Sequence, residues 1–302
     1  MSAPDDAPST DLLTMLSSAS VEVSSRGHQV QELRDNFRGG TDVTITFLPG
    51  DNYRHNIETA TALRRAGYNP VPHIAAREMP SREALDDFLT RACGEADVTR
   101  VVLIAGDVAI AKGPYRASFD VCASGLIEAR GIARVSVAGH PEGHPYLETA
   151  NALKVLEAWR DWAAQTKIQV DVVTQFCFES APILGWIAEL EARGVRLPVI
   201  VGLAGPATPA TLTKFALRCG VGNSMRSLRS QIGRFGRLLT DTGPDDVMRG
   251  LQSAPQAATA SIAGFHLFPF GGLRKAGDWL RTYRQETLRQ MQVAPRATSQ
   301  NP

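Results

Sequence analysis

Eight short apolar runs, each followed by a stretch with helical spacing, set the tightest limit on how this chain folds. The runs are SVEVSS (20–25), VTITFL (43–48), NPVPHIAA (69–76), TRVVLIAG (99–106), ARVSVAG (133–139), VDVVTQF (170–176), PVIVGLA (198–204) and SIAGFHLF (261–268). They are nearly continuous in Val, Ile and Ala, as parallel strands are when helices cover them. Eight strands alternating with helices is the count a closed (β/α)8 TIM barrel requires. A chain of 302 residues is long enough to close one. A doubly wound open sheet is the alternative, and it needs a Gly-rich first turn. Only Arg26-Gly27 follows the first run, and Gly233-Arg-Phe-Gly236 lies inside a helical stretch.

The intervening segments read as helices. Residues 55–67 keep apolar positions in helical register and stop at Gly67, and 81–92 opens on Ser81 with Glu83 just after, an approximate capping signature. Residues 181–194 end on Arg193-Gly194, a C-terminal stop. Residues 208–220 and 273–288 continue the pattern. The expected organisation is an N-terminal tail (1–18), a barrel (19–290) and a C-terminal tail (291–302), with the polar, Pro-containing ends disordered. The Arg-rich stretch 223–257 is expected to be a helical insertion on the rim.

Charge and cysteines narrow the function classes. Lys plus Arg is 32 and Asp plus Glu is 31, a net charge of +1, which leaves no electrostatic footprint for nucleic acid or an anionic membrane. Arg226, Arg229, Arg234 and Arg237 are read as a solvated helix face. No apolar run approaches the roughly 20 residues of a membrane helix. The acidic, polar N-terminus lacks a basic and apolar leader, which points to the cytoplasm. Cys93, Cys122, Cys177 and Cys219 form no CxxC, so reduced thiols are expected rather than a disulfide framework or a zinc knuckle. A small-molecule enzyme remains, and a homo-oligomer is compatible with it.

In such a barrel, chemistry collects where strands end. Glu22, Thr46, His73, Asp107, His140 and Gln175 stand in or just after six consecutive runs, so closure would aim them at one mouth. Singly, each is a common structural residue, because loops after strands are polar anyway. Glu22 lies between Val21 and Val23, where desolvation would raise its pKa and suit it to general-acid work. Its bland alternative is an ion pair with an Arg across the barrel. Asp107 follows Gly106, where a ligand can approach the backbone, and can stabilise a developing cation. An N-cap of the next helix is equally consistent with that position. His140-Pro-Glu-Gly-His144-Pro has His-x3-His spacing, but its prolines break the helix a metal pair would need, so contact with phosphate or a cofactor ring is expected instead. Gln175, donor and acceptor at once, suits the amide–amine edge of a pterin or flavin.

These stretches resemble the catalytic barrel of the methylenetetrahydrofolate reductase family over about residues 19–280. VSVAGHPEGHP (135–145) is similar to its strand and PEVHP-like turn, and VTQFCFE (173–179) to its TQFFFD signature. VPHIAA (71–76) resembles the APHLTC strand, LIAGDV (103–108) the LRGD loop and GFHLFPFGG (264–272) the HFYTLN strand, and VEV (21–23) falls on the family's glutamate. The sequence departs from the family at Ala105, where it has Arg, at His140, and at Ser24-Ser25-Arg26, where it has Pro-Pro.

The resemblance implies an FAD-dependent oxidoreductase that interconverts 5,10-methylene- and 5-methyltetrahydrofolate with NADH or NADPH as co-substrate. That chemistry serves methionine supply, or runs oxidatively in a demethylation pathway. Carried over, Glu22 would protonate N10, Asp107 would stabilise the iminium cation beside the flavin, and Gln175 would bond the pterin. Thr46, His73, Gly106, Ala138, His140 and His144 would line the FAD site, with Lys154 the nearest match to a further cationic contact. No metal is expected. A folate- or flavin-binding barrel without catalysis, and a metal-dependent hydrolase using His73, His140 and His144, are the competing readings.

Overall fold

A computed structural model describes residues 12–26, 29–144, 149–221 and 241–293. Strands β1 (Ser20–Ser24), β2 (Asp42–Thr46), β3 (Asn69–Ala75), β4 (Arg100–Ile104), β5 (Arg134–Gly139), β6 (Gln169–Thr174), β7 (Val199–Ala204) and β8 (Ile262–Phe268) pair in sequence order, all parallel, and β8 closes on β1. The fold is a (β/α)8 TIM barrel in a single domain, and every expected strand is present within a residue or two of its expected bounds.

Side chains alternate between two faces of each strand. Val21, Val23, Val43, Ile45, Val135 and Val137 face outward into one continuous apolar core beneath the helices. Three helices start where a side chain satisfies one of their free N–H groups. Ser81 Oγ accepts from Ala84 N at 3.1 Å, and the Asn52 and Thr208 side chains cap Tyr53–Arg65 and Pro209–Cys219 in the same way.

The ends and the insertion differ from expectation. Leu12–Ser17 is a helix whose Leu13 and Leu16 are buried against β8 and the last helix, Leu273–Val293. Two leucines three apart gave this turn an apolar stripe inside a stretch too short to stand out as periodic. The last helix also runs three residues into the expected C-terminal tail. Of the expected insertion, Asp245–Gln252 and Gln256–Thr259 are helical, and Thr242 bridges Ala207. Residues 1–11, the four arginines at 226–237, Gly233–Gly236 and residues 294–302 lie outside the described residues.

The register fixes what fills the barrel. Moving level from strand to strand advances one residue beyond each paired partner. Glu22, Ile45, His73, Leu103, Ala138, Thr174, Gly202 and Leu267 make one circuit that closes on Glu22. Alternate strands therefore supply each interior layer. Glu22, His73, Ala138 and Gly202 form one layer, and Thr46, Ile104, Gln175 and Phe268 form the layer above it. His266 belongs to the layer directly beneath, and Asp42, Arg100, Asp171 and Gly264 form the lowest.

That lowest layer is a charge network. Arg100 bonds Asp42 at 2.8 Å, Asp171 at 3.2 Å and Ser136 Oγ at 2.9 Å. Gly202 is required where it stands, because a Cβ there would meet the Thr174 carbonyl oxygen at 2.2 Å and the Phe268 ring at 2.7 Å. The Phe268 ring thus takes the space beside β7.

Candidate active site

The inward layers open toward solvent on one side of the barrel. Ala138 faces the interior, since Val137 before it lies in the outer core, yet Ala138 is exposed. Solvent therefore reaches down from the mouth to the layer that holds Glu22. The opposite side is closed by a packed aromatic group in which Phe176, Phe268, Phe270 and Phe215 stack or meet edge to face. The result is a cleft along β1 to β6, walled on the β7–β8 side by rings.

Glu22 lies on its floor, half-buried, and no described residue offers it an ion pair or hydrogen bond. Burial in the barrel pushes its carboxyl up to about 8, so it holds its proton at neutral pH. The Arg partner allowed by the sequence is absent among the described residues. His73 shares its layer and is held near 4, again by burial. Below them His266, 2% exposed, meets Ser20 Oγ through Nδ1 at 2.8 Å. Burial, then His73 and Arg100, bring it to about 3. The floor is thus a protonated carboxyl over neutral imidazoles.

The rim carries the other expected residues. Gln175 directly follows β6, where its backbone N–H donates to the Gly139 carbonyl at 2.8 Å. Its side-chain Nε2 donates to the Cys219 carbonyl, and its Oε1 is buried without a partner among the described residues. In the turn after β5, the Gly143 N–H donates to the His140 carbonyl at 3.0 Å, and Gly143 takes a left-handed φ of +87°. That turn brings the His144 ring to 4.7 Å from the His140 ring. Burial, with His144 nearby, lowers His140 to about 4, and His144 is lowered as well, chiefly by its own burial. The two histidines do not lie on a helix.

Asp107 is exposed and pairs with Arg218 at 3.4 Å. It caps no helix, because the next one begins at Ser118. Its loop is clasped from the turn after β3. Arg77 donates to the carbonyls of Arg116 and Val108, and buried Glu78 pairs with Lys112. Gly106 has φ +90° and packs against Ala75, where a Cβ would sit 3.3 Å from the alanine's own. Thr46 donates to the Val23 carbonyl at 3.3 Å.

Lys154 is exposed on the outer helix Thr149–Gln165, away from this group. Cys177 is buried, and burial pushes its thiol up, which leaves it unreactive. Among the described residues no three His, Cys, Asp or Glu side chains are grouped to hold a metal ion. No described helix is long and apolar enough to cross a membrane.

Three participants were not anticipated from the sequence. His266 sits two residues before the end of its strand, and its parity with Gly264 and Phe268 was the signal that it faces inward. Arg218 and the Cys219 carbonyl reach the site from the end of helix Pro209–Cys219, through space, and left no local pattern.

No protein-family model matches the sequence. Among solved structures the chain is similar to an uncharacterised protein from Clostridium thermocellum that binds two copies of 5-methyl-5,6,7,8-tetrahydrofolic acid. The TM-score is 0.56 at 10% identity, over 92% of this chain and 98% of that one. At that identity the likeness bears on the fold.

Proposed function

We propose that this chain binds a reduced folate in the barrel mouth and interconverts 5,10-methylene- and 5-methyltetrahydrofolate, with FAD and a nicotinamide as redox partners. The observation that carries the reading is Glu22, a carboxyl that keeps its proton at neutral pH on the floor of an open cleft lined by neutral groups. The folate bound by the structurally similar protein, and the order of motifs in the sequence, support the substrate class.

The residues of the cleft fit a flavin along β2 to β5. Exposed, inward-facing Ala138 leaves the wall bare, Gly106 keeps the backbone approachable, and Thr46 and His73 offer polar contacts that carry no charge at neutral pH. When bound there, FAD supplies hydride transport between the nicotinamide and the one-carbon unit. The chain's own residues do the rest. Glu22 holds a proton for N10, the amine released when the five-membered ring of methylenetetrahydrofolate opens. Asp107, a carboxylate at the rim, balances the positive charge that develops on the one-carbon unit. The aromatic wall excludes water from one side.

A folate-binding barrel without turnover is the second reading, favoured by Ala105 standing where the family has a cation. One experiment separates the two. Protein loaded with FAD under anaerobic conditions should lose its oxidised-flavin absorption on addition of NADH or NADPH and regain it on addition of methylenetetrahydrofolate. Protein that binds folate but neither retains FAD nor converts the folate is a binding barrel.

A further inference from the structure

The carboxylate that the chemistry needs at the rim is already engaged. Arg218 Nη2 donates to Asp107 Oδ2 at 3.4 Å, and the two side chains are 55% and 67% exposed. An exposed pair joined through one nitrogen is weak. It still cancels much of the field of Asp107, because two opposite charges side by side act at a distance as a dipole. Asp107 therefore balances a developing cation fully only once Arg218 has left it.

The surroundings let Arg218 leave and make Asp107 stay. Arg218 stands in the last turn of helix Pro209–Cys219, which ends on Gly220 at φ +72°. The next residue, Cys219, anchors that end, since its carbonyl accepts from Gln175 Nε2. The long, exposed guanidinium can thus swing while its backbone is held. Asp107 has a short side chain on a clasped loop, where Arg77 donates to the Val108 carbonyl and Lys112 pairs with buried Glu78. The Cys219 thiol senses both Asp107 and Glu22, so the helix end lies between the rim carboxylate and the floor acid. Among the described residues Asp107 is the carboxylate paired with Arg218, and it takes one of the five donors of the guanidinium.

We infer that Arg218 is an anion-receiving switch, which masks Asp107 until substrate binds and then moves to a carboxylate of the folate's glutamyl tail. The inference rests on the folate reading above and deepens it. The neutral pterin ring has nothing to draw a guanidinium off Asp107. The glutamyl tail carries two carboxylates on a rigid aminobenzoyl spacer, and a carboxylate met by two parallel N–H···O bonds is a better partner than the one-point contact with Asp107. Contact at the remote end of the substrate thereby acts at its reacting end. Arg218 is a positioning residue, working through the charge of Asp107.

The test compares equilibrium binding of 5-methyltetrahydrofolate with that of its truncated benzamide analogue, which keeps the pterin and aminobenzoyl groups and lacks both carboxylates. The ratio of the two affinities is the readout, so a general change in pterin binding cancels. Wild type should prefer the full folate about two- to fivefold, the weight of an exposed ion pair. Arg218→Gln should abolish the preference. Asp107→Asn should raise it by a further factor of about two to five, because the competing carboxylate is gone. An arginine that only supports the helix end would shift both ligands equally. A wild type without preference overturns the switch, as does a preference that survives Arg218→Gln or fails to rise in Asp107→Asn. A loss in Arg218→Gln confined to NADH also overturns it and gives the guanidinium to the phosphates of the dinucleotide. Wild type that binds neither folate nor benzamide ends the folate reading itself, a separate outcome. Each variant carries its own overturning result, so if one fails to fold the other decides.

Discussion

Replacing Glu22 with glutamine slows the folate half-reaction by about 10²–10⁴-fold, the usual contribution of a positioned general acid, and leaves flavin reduction by the nicotinamide close to wild type. Ring opening leaves an amine that needs a proton. Glu22 is the protonated carboxyl on the cleft floor, and glutamine keeps its size and hydrogen bonding while giving up that proton. Hydride transfer from the nicotinamide needs no acid at this position.

The same substitution has a second signature, in stability. A carboxyl raised from 4.5 to about 8 in the folded state contributes stability fully only below 4.5, and that contribution is lost as pH rises through 8. The glutamine variant carries no such penalty. Its melting temperature should match wild type near pH 4.5, exceed it by a margin that grows up to about pH 8, and keep that margin above it. Stopped-flow measurement of each half-reaction and melting curves across pH check both halves. An unchanged folate half-reaction means that the acid lies elsewhere, and a margin that stays flat or shrinks with rising pH means that Glu22 is ionised in the fold.

Replacing Arg100 with methionine costs about 3–5 kcal/mol, the range for removing one partner of a buried ion pair. Asp171, whose side chain is 5% exposed, then keeps, among the described residues, the ion pair with Arg134 at 3.9 Å alone. Its desolvated carboxylate is left nearly uncompensated. Adding Asp171→Asn removes that charge, and the double variant should recover a large part of the loss, since an uncharged pair tolerates burial better than a lone charge. Arg100 lies three layers below Glu22, so folate affinity of the remaining folded protein should stay within a factor of two or three. Denaturant unfolding and folate titration check the two parts. A single variant as stable as wild type would mean that the network at the barrel base is solvated and weak.

The barrel was legible in the sequence because its strands are short apolar runs at regular spacing, each bounded by turn residues. SVEVSS, VTITFL and TRVVLIAG could each be placed to within two residues. Which residues share a layer was not legible. It depends on the stagger between strands, and one residue of slip would pair Glu22 with a different neighbour on every side. Thus Gln175 could be named from its strand end, and Glu22 from being a carboxylate between two valines, while His266, also inside its run, carried no such mark. Asp107 was read as equally consistent with a helix cap or a charge at the site. The distinction rests on a loop of more than ten residues before the next helix, held by Arg77 and Glu78, and no local signal announces that loop. The clasp of Arg218 and Cys219 on Asp107 and Gln175 joins residues far apart in sequence, which only the closed barrel brings together. Leu13 and Leu16 were missed because their apolar stretch is too short to show a helical period.

Titration of 5-methyltetrahydrofolate into wild type and into Ala138→Phe tests the central claim, that the open cleft of the barrel mouth is a reduced-folate site. Ala138 faces into the cleft, shares a layer with Glu22 and makes no polar side-chain contact, so a phenyl ring there fills the space without changing charge. The expected result is saturable binding by wild type, and at least a tenfold weaker affinity in the variant at an unchanged melting temperature. Wild type that binds no folate, or a folded Ala138→Phe protein that binds it as tightly, contradicts the account.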